Sequence, residues 1–113
     1  MREILRDDGE LCGFVQERGE QWNACTVFGV TFATHADEQS AARDVLHRGL
    51  QLLADRWELR ARCEDEWHTV CIQEANPRRV RLALGYYSLP EVPTRTISVD
   101  ELRAGEFELR PRS

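Results

Sequence analysis

The chain has no lysine: all fifteen of its cationic side chains are arginines, set against twenty Asp and Glu in 113 residues. General nucleic-acid affinity needs a basic face, and a formal charge of −5 argues against it. No apolar run approaches the roughly 18 residues that cross a bilayer, so a membrane span is not expected. Met1 to Asp8 is too acidic and too poor in apolar residues to read as a signal peptide, so the expected compartment is the cytoplasm. There is no CxxC pair, no HExxH, no EF-hand loop, no GxGxxG and no GxxxxGK[ST], so no metal and no nucleotide cofactor is expected. What is present, 42% hydrophobic and 31% charged residues, is the composition of one globular domain.

Charge is distributed unevenly. Residues 1–56 hold six Arg against ten acids, a balance of −4, and the whole-chain charge of −5 is compatible with a basic protein partner. Residues 78–113 hold seven Arg against five acids and are mildly basic.

Residues 1–10 read as a polar lead-in or a sheet edge. Leu11–Gln16 and Gln21–Val27 read as a hairpin about Glu17-Arg18-Gly19-Glu20, which pairs Val15 with Trp22 and Cys12 with Cys25. Leu11, Val15, Trp22 and Ala24 then share one face, and Cys12, Phe14, Cys25 and Val27 share the other. Both faces are apolar, so either more of this chain or another chain has to cover the second. Phe28 to Thr34 continues as a strand with a bend at Gly29.

A helix is predicted from about Glu38 to Asp55. Asp37 stands at the N-cap, and Ala42, Val45, Leu46, Gly49, Leu52 and Leu53 form an apolar stripe. Gly49 in that stripe allows close approach to the sheet. The period then falls to two. Trp57, Leu59, Ala61 and Cys63 alternate with charged residues, and His68, Val70 and Ile72 alternate in the following strand. An even-numbered loop keeps these apolar sets on one face, with Leu59 opposite Ile72. Asn76-Pro77 breaks the chain before a strand carrying Val80, Leu82, Leu84 and Tyr86. Thr94–Val99, a capped helical turn over Asp100–Ala104 ended by Gly105, and a strand over Glu106–Leu109 complete the reading.

The expected class is α+β: an antiparallel sheet of six or seven strands with one long helix packed on one face. The expected organisation is a single domain over 1–113, with a β-β-β-α-β-β unit at 11–76 and a C-terminal β appendage at 77–113.

Chemistry is sparse. On the predicted hairpin Cys63 faces His68 while Cys71 points away, and two ligands on one face do not make a metal site. The same Cys63–His68 dyad could generate a thiolate, but no orienting third residue or oxyanion loop accompanies it, so no catalytic residue is assigned. Arg60, Arg62, Arg79 and Arg81, together with Arg78, would share a surface with Trp67 and Tyr87 if their strands are adjacent. Such a surface suits a protein partner, since interfaces favour Trp, Tyr and Arg. Single-stranded nucleic acid is the alternative.

Residues 11–56 resemble the N-terminal unit of HicB-type antitoxins. Trp22-Asn23-Ala24-Cys25-Thr26-Val27 matches that family's aromatic-x-Ala-x-Val strand, Gly29 its following glycine, Thr34-His35-Ala36-Asp37 its turn ending in Asp, and Ala42 its helix alanine. The resemblance implies a partial RNase-H-like β-β-β-α-β fold without catalytic carboxylates, which works by masking a small toxin ribonuclease. The C-terminal part does not resemble the DNA-binding tail of complete antitoxins, so operator binding is not implied. The expected function is therefore non-enzymatic protein association, with a small basic protein or a second copy as partner.

Overall fold

The computed structural model describes residues 1–84 and 93–112. Among these residues nine strands and two α-helices follow in the order β1 (Arg2–Leu5), β2 (Leu11–Arg18), β3 (Gln21–Cys25), β4 (Thr31–His35), α1 (Glu38–Arg48), β5 (Arg56–Ala61), β6 (His68–Ala75), β7 (Arg79–Ala83), β8 (Thr94–Ser98), α2 (Val99–Arg103) and β9 (Phe107–Pro111). The class is α+β with antiparallel pairing, as expected. A single sheet is not what forms. Strands β1-β2-β3-β4 make one sheet, and β8-β7-β6-β5-β9 make a second. Contacts divide the chain into two compact units, Met1–Leu52 and Leu53–Ser113.

In the first unit the lead-in becomes the edge strand β1. The hairpin register is two residues off the predicted one: Val15 faces Ala24, Glu17 faces Trp22, and Cys25 faces Phe14 rather than Cys12. The turn is shorter than the four residues allotted to it, because Gly19 adopts φ +63°, which a tight reversal needs. A shift of two preserves the faces but separates the cysteines, and all four thiols are free. The second face closes at one end, where Cys25, Thr26, Val27 and Phe28 are at most 5% exposed within this single chain. At its other end Gln16, Arg18 and Gln21 are exposed polar residues that need no cover.

Helix α1 starts where the sequence says, with Asp37 Oδ1 accepting from the Ser40 N–H at 2.7 Å. It stops at Arg48, seven residues short of Asp55, and Gln51–Ala54 forms a 3-10 turn instead. Close packing marks this end of the helix. A β-carbon on Gly49 would overlap the Cys12 carbonyl oxygen, and one on Gly13 would overlap the Cys25 carbonyl oxygen and meet Val45 Cγ1 at 2.9 Å. Backbone therefore packs directly on backbone along β2. This contact turns Ala41 and Val45 into the core with Ile4, Cys12, Val15 and Ala24. Leu46, predicted on the buried stripe, is left 45% exposed.

In the second unit Trp57 faces Val70 and Leu59 faces His68. Leu59 was expected opposite Ile72, so this register is four residues away. An even shift again keeps the apolar sets together, and Trp57, Leu59, Val70, Val80, Leu82, Ile97 and Leu109 are buried. Helix α2 opens with a capping box: the Glu101 N–H donates to Ser98 Oγ at 3.1 Å and the Ser98 N–H to Glu101 Oε1 at 3.0 Å. It packs against both β8 and β9, the two edge strands. The sheet curls far enough for the Arg95 guanidinium of β8 to lie 4.6 Å from the Phe107 ring centre of β9.

Gly49→Ala tests the helix–strand contact. Alanine normally favours a helix over glycine by about 1 kcal/mol. Here it should destabilise by roughly 1–3 kcal/mol, because the backbones must move apart. Urea unfolding of the two proteins reads the sign directly.

Candidate functional site

The arginines picked out by sequence fall into separate places. Arg60 and Arg79/Arg81 are not on adjacent strands, since β6 lies between β5 and β7. Arg60 is paired across β5–β9, with its Nη2 2.6 Å from Glu108 Oε1, and Arg110 Nε donates to Glu58 Oε1 at 3.0 Å. Both guanidiniums lie over Trp67, Arg110 at 3.7 Å and Arg60 at 4.6 Å from the ring centre. Two cations and two carboxylates cancel on this face. Its aromatic is already covered by cation–π contacts worth about 0.5–1 kcal/mol each at exposed positions. Arg62 Nη2 donates to the Ala104 carbonyl at 2.8 Å, which closes the end of α2. Arg81 stands opposite Glu74, and Arg79 opposite Ser98. Tyr87 lies outside the described residues. Arg110, the residue that completes the Trp67 cluster, was not singled out from sequence, because the β5–β9 pairing is long-range and carries no local signal.

The Cys63–His68 dyad does not form. His68 faces Leu59, Cys63 lies exposed in the turn after β5, and His68 Nε2 pairs instead with Glu64 Oε2 at 3.0 Å. Burial pushes the thiols of Cys12 and Cys25 up, so neither is poised as a thiolate. Among the described residues no three of His, Cys, Asp and Glu come together as metal ligands. Among them, too, no helix is long and apolar enough to cross a membrane.

A polar cluster that sequence reasoning missed joins β4 to α1. His35 Nε2 lies 2.7 Å from Asp44 Oδ2, and Arg48 grips the same carboxylate through Nε at 2.5 Å and Nη2 at 2.7 Å. Arg48 also lies over the Phe32 ring, 5.3 Å from its centre. The only sequence signal was the i,i+4 spacing of Asp44 and Arg48. Hydrogen bonds from Arg48, and then His35, hold the Asp44 carboxyl below its ordinary value, against an opposing push from burial. The cluster is a clamp between helix and strand and holds no open acceptor for a substrate.

The first unit also carries exposed apolar surface. Leu5 is 53% and Leu46 45% exposed. They line one groove of about 400 Å³ between β1 and α1, with Ile4 and Ala42 as floor and Arg2 and Arg43 at the rim. Arg2 spans it to Glu38 at 3.1 Å. Past Leu46 a second hollow of about 360 Å³ is bordered by Arg6, Asp7 and Asp8. Arg6 is held by Asp8 and Glu10, whereas Asp7 has no cationic partner among the described residues. β1 is the edge of its sheet, so a row of backbone donors and acceptors runs beside this groove.

The chain matches no protein-family model, no curated protein and no solved structure.

Asp44→Asn tests the clamp. A carboxyl with a lowered folded-state pKa stabilises above its unfolded value, near 3.8, and that contribution fades as pH falls through the folded value. The variant should lose on the order of 1 kcal/mol at neutral pH. The deficit should close as unfolding is measured at progressively lower pH below the ordinary carboxyl range.

Proposed function

We propose that this protein is a non-enzymatic association module that docks a basic protein partner in the groove between β1 and α1. The observation that carries this reading is the side-by-side exposure of Leu5 and Leu46 along an open sheet edge. An extended segment added to β1 would satisfy the free backbone groups and lay alternate side chains onto the leucines. Resemblance to HicB-type antitoxins points to the same use, by masking rather than by chemistry. The order β-β-β-α over 11–48 fits that family's unit, although the strand after the helix, β5, belongs here to the second sheet.

A second copy is a poorer occupant of this edge. A two-fold antiparallel pairing must be centred on one residue of β1. Centred on Ile4, it sets Arg2 against the copy's Arg6. Centred on Glu3, it sets that carboxylate against its own counterpart. Centred on Leu5, it sets Glu3 against the copy's Asp7. Like charges directly opposite weaken a ladder. A basic partner suits both the −4 balance of residues 1–56 and the unpaired Asp7 beside Leu46.

Capture from the native host followed by reconstitution with the purified partner is the test. The protein alone should be monomeric by light scattering. Leu46→Asp, at a position exposed enough to cost within about 0.5 kcal/mol of stability, should weaken the complex at least about tenfold. Capture of nothing, or a complex indifferent to Leu46→Asp, would contradict the proposal.

A further inference from the structure

The second unit holds a cleft of about 510 Å³ that the partner-docking reading does not use. We infer that this cleft binds a small amphipathic carboxylate, with its apolar body against Leu59, Ala61 and Leu84 and its acid group on Arg95. The volume lies within the range of small-molecule sites, roughly 300–1,000 Å³. The walls come from the curled sheet: Leu59 and Ala61 from β5, Phe107 from β9, and the edge of Trp67 before β6. Leu84, just past β7, is 41% exposed there.

Charge selects the head group. Arg95 lies over Phe107 and has no carboxylate partner among the described residues. Glu64, the acidic residue in the described lining, is already tied to His68 at 3.0 Å. One uncommitted guanidinium beside an apolar wall matches a monoanion. A phosphate dianion would draw on a second guanidinium, and Arg95 is the one arginine of the described lining. The body is apolar rather than stacked, because Arg95 already lies over Phe107 and Arg60 and Arg110 over Trp67.

Calorimetric titration of the full chain with octanoate, and with octanol as its uncharged counterpart, is the test. Octanoate should bind, and Arg95→Gln should weaken it about tenfold or more, with octanol changed less than twofold. Leu84→Glu, at an exposed position that tolerates a polar residue, should also repel octanoate, whereas Leu84→Arg should tighten it. Ala61→Phe should block both ligands by filling the floor. No octanoate binding by the wild-type protein at millimolar concentration would overturn the inference. So would equal losses of octanoate and octanol in Arg95→Gln, or binding that survives Ala61→Phe. None of these outcomes bears on the β1–α1 groove, which lies in the other unit.

Discussion

The direct packing of backbone on backbone between α1 and β2 governs the first unit. Gly49 has no room for a β-carbon against the Cys12 carbonyl oxygen of β2, and Gly13 has none between the Cys25 carbonyl of the neighbouring strand and the Val45 side chain of α1. A helix seated this closely cannot bury a broad stripe. It buries Ala41 and Val45, ends at Gly49, and leaves Leu46 outside. The groove beside β1 is thus a consequence of glycine placement. A bulkier pair at these positions would lift the helix and alter the spacing between Leu5 and Leu46.

Electrostatics shape the second unit differently. Arg60, Arg62, Arg79 and Arg81 were expected to share one recognition surface with Trp67 and Tyr87, yet the register places Glu58 opposite Arg110 and Glu108 opposite Arg60. The guanidiniums that remain over Trp67 act as its cover. Arg62 serves the end of α2. What sets Arg95 apart is that the residue opposite it on β7 is Leu82, not a carboxylate. Pairing decided by register thus separates structural arginines from those open to a ligand.

Local chemistry was legible in the sequence and long-range pairing was not. The Asp37 cap and the stop at Gly105 each rest on a few adjacent side chains, and each is found; the first residues take the edge, one of the two roles open to them, while Gly29 lies in the turn between β3 and β4 rather than in a strand running from Phe28. Both hairpin faces were also legible, because shifts of two and four residues conserve the period of two. The registers themselves were not, since turn length is fixed by glycine conformation at Gly19 and by how much of 62–67 is left unpaired. With register went the Cys12–Cys25 pairing and the Cys63–His68 dyad. The division into two sheets, and with it the cluster of Trp67 with Arg110, depends on β9 returning to β5 across some fifty residues, for which no local pattern exists. Helix length failed for a related reason. The apolar stripe runs past Gly49, where the helix backbone is seated against the Cys12 carbonyl of β2.

Solvent exposure of individual methyl groups, read by NMR with a soluble paramagnetic probe, tests this arrangement most directly. Strong relaxation of the Leu5 and Leu46 methyls beside protected Val45 methyls is the predicted result. A protected Leu46, with helical shifts running on through Asp55, would contradict both the close contact and the groove that depends on it.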